Sequence, residues 1–257
     1  MSNNEPIPME IGAAVEELKG AAAFLTCVPP RFIQFDRTRA PTFRTGARVF
    51  PVVGALIGLA GGIVLVIAMW IGIPALLSAA LAIGATVAVT GALHEDGLAD
   101  STDSLGGTTA AQRLEIMRDS RIGAYGTLAL IFSAGVRVLA LGSVAAAGSF
   151  RAAFVLIAAE AVGRAALVRV WHDLPAARAD SMSEETGPPD QQASLIALAI
   201  AAVIALVCGI PTVGLLPTVF GGALAPMVAH FVDTDELSEA DLEELRRLLA
   251  RKKEPRS

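Results

Sequence analysis

Residues 49–93 read VFPVVGALIGLAGGIVLVIAMWIGIPALLSAALAIGATVAVTGAL, with no charged side chain in the whole stretch. A bilayer-spanning helix needs roughly 20 consecutive apolar residues, so the run is long enough for two. Gly72, Ile73 and Pro74 divide it, and the expected spans are 49–71 and 75–93. The rest of the chain has the same character. Of 257 residues, 54% are hydrophobic and 18% charged, with a mean hydropathy of +0.59, well above a soluble globular domain. Residues 122–146 make a third span interrupted by Arg137, and 152–171 a fourth carrying Glu160, Arg164 and Arg169. The uncharged run 191–229 fits two more, split around Gly209, Ile210 and Pro211. The sequence therefore predicts an all-α, polytopic integral membrane helix bundle of about six spans.

Six spans place the N-terminal segment, the 94–121 loop, the 172–190 loop and the C-terminal tail on one side. Arginine and lysine are dense in three of these (Arg31 to Arg48; Arg113, Arg118 and Arg121; Arg246 to Arg256), so that side is expected to be cytoplasmic. The 172–190 loop has only Arg178. Residues 1–48 form a cytoplasmic or interfacial segment in which IGAAVEELKGAAAFLTCV, 11–28, is too short and charged to span. It suits an amphipathic interfacial helix or, equally, a helix packed on the bundle. Residues 49–232 form the membrane domain and 233–257 a charged tail, where Ser238 with Asp241 reads as a capping box. Leu242, Leu245 and Leu249 form an apolar stripe there, and Glu243 pairs with Arg247. A net charge of −5, with basic residues scattered between apolar runs, excludes a nucleic-acid partner. Cys27 and Cys208 are far apart and lack metal spacing, which makes them packing residues. Glu5 and Glu10 precede any apolar run, unlike the basic start of a secretory signal, so insertion is expected to rely on the spans. The sequence leaves a homo-oligomer open.

The first long run ends abruptly in HEDGLADSTDSLGG, 94–107, with four acids in ten positions. Asp96, Asp100 and Asp103 stand at i, i+4 and i+7, which on a helix puts them within roughly 60° of one another. Three like charges that close repel unless a cation neutralises them, and all-oxygen donors select a hard ion such as Mg²⁺. His94 points to another face of that helix, which weakens a zinc reading. Solvated acids at a helix end are the plainer alternative. The same loop continues RLEIMRDSRIGAYG, 113–126, where Arg113, Arg118 and Arg121 suit phosphate oxygens. Taken singly they are topology signals; with the acids they complete a phosphate-and-metal site. Gly123 and Gly126 are expected to loosen the backbone before the third span. No Walker A pattern is present.

FLTCVPP at 24–30, VFPVVGALIG at 49–58, the 94–107 stretch and RLEIMRDSRIGAYGTLAL at 113–130 together resemble the cobalamin synthase family, the adenosylcobinamide-GDP ribazoletransferases. GRAALVRVW at 163–171 and ARADSMSEETGPP at 177–189 resemble it more loosely. The resemblance implies a membrane-embedded, Mg²⁺-dependent transferase. Its substrates would be adenosylcobinamide-GDP and α-ribazole or its 5′-phosphate, with GMP released. On that reading Asp96, Asp100 and Asp103 surround Mg²⁺, and Arg113, Arg118 and Arg121 bind phosphate. Asp119 completes the metal site or accepts the ribazole proton, with His94 as the rival acceptor. One block departs from the family: its usual Thr-Gly-Asp-x-x-Gly-Ala near the C-terminus is replaced by FGGALAPMVAHFVDTDELSEADLEELRRLL from Phe220, and Asp233 and Asp235 lack the glycine context.

Two other readings compete. A CDP-alcohol phosphotransferase also spaces aspartates after a D-G start, but it expects Arg where Asp100 stands. A non-catalytic ion-binding membrane protein would place acids inside a span, whereas these cluster at one end of a run. Glu160 and Arg164 then read as an internal ion pair.

Overall fold

The computed structural model describes residues 11–29, 33, 43–174 and 187–209, and among them every regular element is helical. The first, α1, covers Ile11–Leu25, and a short turn α2, Phe43–Gly46, leads through Ala47–Val49 into α3, Phe50–Trp70. Then follow α4 (Ala75–Thr90), α5 (Leu93–Asp103), α6 (Ala110–Ile116), α7 (Ala124–Ala147), α8 (Ser149–Asp173) and α9 (Gln191–Gly209).

The central contact is α3 against α8, and small residues make it close. Gly54, Gly58 and Gly62 recur every fourth residue and so share one face of α3. A Cβ on Gly58 would lie 2.6 Å from the Ile157 Cα, and one on Gly62 would lie 3.0 Å from the Ala153 Cβ. Neither position has room for a side chain, so the two backbones meet directly, as small-residue repeats allow in lipid. Leu65, Ala79, Ala82, Leu141, Ala145 and Leu156 close the core at one end, and Leu25, Phe50, Ile57, Val168 and Ala197 at the other. The outward faces stay greasy. Ile63, Ile67, Trp70, Phe132, Val203 and Leu206 are exposed, which suits lipid rather than water.

The stretch from α2 through α3 (Phe43–Trp70), together with α7 and α9, is long and apolar enough to cross a bilayer. A fourth crossing forms only if α4 and the segment Leu93–Gly106, bent by 89° at their junction, act as one span. At 16 residues α4 reaches about 24 Å, short of the hydrocarbon core of roughly 30 Å. The described residues therefore supply three or four of the six expected spans. The expected span 152–171 is a helix, α8, yet Arg151, Glu160, Arg164, Arg169 and Asp173 keep it below the apolarity of the others. The expected sixth span, the tail with Ser238, Asp241, Leu242, Glu243, Leu245, Arg247 and Leu249, and Asp233 and Asp235 lie outside the described residues.

The N-terminal helix packs on the bundle. Ala21 and Leu25 are buried beside Phe50 and Val53. Glu17 accepts two hydrogen bonds from Arg48 at 2.8 Å each, and both side chains are buried. Beyond α1, Cys27 meets the α4–α5 corner: its N–H donates to the Val89 carbonyl at 2.8 Å, and its sulfur rests against Gly91. Cys208 is half-buried and unpaired.

That corner is built from two successive left-handed residues, Gly91 at φ 62° and Ala92 at φ 59°. Glycine is at ease there, while a residue with a Cβ is disfavoured by about 1–2 kcal/mol. Ala92→Gly should consequently raise the detergent unfolding midpoint, with a gain of up to about 1 kcal/mol. Gly91→Ala should lower it, because its Cβ would overlap the Cys27 sulfur.

Candidate functional site

The corner turns α5 out of line with α4 and gives the acidic stretch its helix. Asp96 is exposed and Asp100 half-buried, so these two carboxylates, one turn apart, face outward together. Desolvation by partial burial, reinforced by the charges of Asp96 and Asp103, pushes the Asp100 carboxyl above the usual carboxylate range.

Asp103 has a different occupation from its two neighbours. Its Oδ2 accepts the Gly123 N–H at 2.7 Å and its Oδ1 accepts the Gly126 N–H at 2.8 Å. Both amides belong to the N-terminal turn of α7, so a side chain twenty residues upstream caps that helix. Gly123 and Gly126 are explained by the same contact, since a Cβ at either would overlap the Asp103 carboxylate. The expectation that they loosen the backbone is corrected: they admit a carboxylate to the helix end. Among the described residues no three His, Cys, Asp or Glu side chains gather closely enough to hold an ion by themselves.

His94 turns toward the bundle. Its Nδ1 is buried without a partner, and burial, followed by Arg164 and then by Arg137 against the opposing pull of Glu95, lowers the imidazole pKa to about 4. The ring is neutral at pH 7.

Beyond Asp103 the chain makes one tight turn, Ser104–Gly106, and reaches α6, whose N-cap Thr109 accepts the Gln112 N–H. Here a cleft of about 630 Å³ is lined by Gly106, Gly107, Gln112, Glu115, Ile116, Arg118 and Asp119. Arg118 is exposed at its wall. Arg113 reaches back instead, its Nε donating to the Gly107 carbonyl at 2.9 Å and fastening the glycine turn to α6. Arg121 grips Asp119 through Nε and Nη2, the shortest bond being 2.6 Å, and these hydrogen bonds hold the Asp119 carboxyl below the usual range. The cleft wall therefore joins one arginine, a paired aspartate and a glycine turn, directly after the helix that presents Asp96 and Asp100.

Sequence reasoning assigned no role to Glu95. Its Oε1 accepts from Arg137 Nη2 at 2.8 Å, across 42 residues. The signal was Arg137 itself, the single charge in the third span, which needs a partner at that depth.

The family model described as cobalamin-5-phosphate synthase matches residues 17–235, a stretch that contains the later part of α1, the acidic helix and the cleft. The chain belongs to the cobalamin-5-phosphate synthase family. Curated relatives agree with this. The chain is 38% identical over 210 residues to the adenosylcobinamide-GDP ribazoletransferase of Allorhizobium ampelinum, covering 81% of each chain. It is 40% identical over 211 residues to that of Azorhizobium caulinodans, covering 81% of this chain and 80% of the relative. It is 48% identical over 198 residues to that of Xanthobacter autotrophicus, covering 76% and 74%. No solved structure matches the chain. Its place among the synthases thus rests on sequence.

Proposed function

We propose that this synthase-family protein joins α-ribazole, or its 5′-phosphate, to adenosylcobinamide-GDP and releases GMP. The observation that carries the reading is that, in a chain of this family, the helix carrying an outward-facing carboxylate pair is followed within a few residues by a cleft lined by Gly106, Gly107, Arg118 and Asp119. The ribazole hydroxyl oxygen forms a bond to the phosphorus that carries the cobinamide. The bond from that phosphorus to the GMP oxygen breaks, and GMP leaves with the electron pair. Such a displacement asks the protein mainly to position two substrates and to neutralise phosphate charge.

The donor set fits Mg²⁺. Asp96 and Asp100 offer hard oxygens on one face, and this ion is usually held by one or two carboxylates together with substrate phosphates. Bound there, it would supply positive charge to the pyrophosphate oxygens. Asp103 retains lone pairs beyond its two amide bonds, but its main work is to cap α7. Arg118 lines the cleft and binds phosphate. Arg121 sits beside it, holding Asp119 until an anion competes for the guanidinium, and Arg113 shapes the glycine turn. Of the two proton acceptors, Asp119 lines the cleft whereas the His94 ring faces the bundle, so Asp119 receives the hydroxyl proton. The cleft opens on the cytoplasmic side of a bacterial inner membrane, in keeping with Arg113, Arg118 and Arg121 flanking α7.

The test is turnover by the detergent-purified protein with adenosylcobinamide-GDP and α-ribazole, scoring GMP and adenosylcobalamin. Product with Mg²⁺ that disappears with EDTA and returns on Mg²⁺ readdition is expected. Product that persists unchanged in EDTA would remove the metal from the mechanism, and turnover of a CDP-alcohol instead would replace the substrate assignment.

A further inference from the structure

The side of α5 turned away from Asp96 and Asp100 carries a second polar group that the reaction above does not use. Glu95 pairs with Arg137 of α7, and both side chains are largely buried. On α8, Glu160 pairs with Arg164 one turn later, and both residues are buried. The charges of Arg164, Glu95 and Arg137 all act on His94, and those of Arg164, Arg137 and Glu95 all act on Glu160. The hydrogen-bonded tie in this cluster is Glu95 with Arg137, between α5 and α7, whereas the Glu160–Arg164 pair lies within α8.

Two acids and two arginines cancel, which leaves no net charge to attract an ion. The cluster is also incompletely bonded, because His94 Nδ1, Glu95 Oε2 and Arg164 Nε are buried without partners among the described residues. Buried ion pairs with open hydrogen-bonding positions add little net stability, and apolar residues of similar size often do as well. Placement is a different matter. Glu95 meets Arg137 near the start of α5, and Asp103 meets the α7 amides at its end. Asp96 and Asp100 lie between these two fixed points, so any rotation of α5 that moved their face would break one contact or the other.

We propose that the Glu95–Arg137 pair is a positioning contact that, together with the Asp103 cap, sets the rotation of α5 and keeps the Asp96–Asp100 face turned outward. The inference rests on the reading of that face as the reactive one.

The double substitution Glu95→Gln with Arg137→Met removes both charges while keeping side-chain length. Hydrogen exchange of residues 93–103 should accelerate about tenfold or more while α3 and α8 keep their protection. Turnover should fall at least about tenfold in kcat, with KM for adenosylcobinamide-GDP changed by less than about threefold. Arg137→Lys keeps the charge with a shorter reach, should give the same pattern at smaller size, and carries the test if the double variant does not fold. Unchanged exchange in α5 would overturn the proposal, and so would faster exchange with parental kcat. If the parent protein turns over neither substrate pair, the reaction assigned above fails, and the exchange measurement alone then decides whether the Glu95–Arg137 pair holds the helix.

Discussion

Replacing Asp100 by Asn, or Asp96 by Asn, is expected to cut turnover by about 10³-fold or more while the purified protein keeps its helix content and unfolding midpoint. The size follows from chemistry: charge stabilisation by a bound divalent ion is worth several kcal/mol, and every 1.36 kcal/mol is about tenfold in rate. The unchanged stability follows from placement. Asp96 is exposed and Asp100 half-buried, and among the described residues neither carboxylate holds a hydrogen bond or ion pair to another element. Asp100 is held above its ordinary pKa by burial and by its two acidic neighbours. A carboxyl raised in the folded state stabilises when protonated and loses that contribution as pH rises through the folded value, so at pH 7 its ionised form opposes folding. Removing the charge should leave the midpoint equal to the parent's or slightly above it. Titrating Mg²⁺ against turnover in each variant separates the roles further. A variant that has lost a donor needs more metal, whereas one that has lost only position does not recover. Asn variants with parental rates would remove these carboxylates from the site.

Most of the bundle could be read from where charge is missing. The uncharged run 49–93 and the nearly uncharged 122–146 become α3, α4 and α7, because lipid tolerates only backbone that satisfies itself. The break at 90–93 could not be read that way. Gly91 and Ala92 are as apolar as their neighbours, and only the left-handed φ angles show that the helix stops at Thr90 and turns by 89°. Within the site, the spacing of Asp96, Asp100 and Asp103 correctly implies one helical face. It does not say what that face meets. Asp103, at its end, meets the start of α7, and Glu95 meets a residue 42 positions away. Periodicity describes one helix at a time, whereas these contacts depend on how α5 docks. The glycines show the same limit. Gly54, Gly58 and Gly62 fit a small-residue repeat, but Gly123 and Gly126 make sense only once the carboxylate they accommodate is in view.

Asp103→Ala should behave unlike the two variants above. The substitution strips both acceptors from the Gly123 and Gly126 amides, and Gly126 is buried, so water does not readily replace them. Losing a helix cap costs about 1 kcal/mol, and losing a negative charge from a helix N-terminus adds up to about 2 in partly buried settings. A loss of about 2 kcal/mol is therefore expected, visible as a lower unfolding midpoint in detergent. Activity should also fall, by about 10²-fold, because α5 would lose its tie to α7 and the carboxylates before it would shift relative to the cleft. Asp103→Asn should lie between, since its amide offers one acceptor oxygen and turns a donor toward the second N–H. Extra Mg²⁺ should restore neither variant if capping is the main role of Asp103. Recovery at high Mg²⁺ with an unchanged midpoint would instead return Asp103 to the ligand set, so midpoint and metal dependence measured on the same preparation decide between cap and ligand.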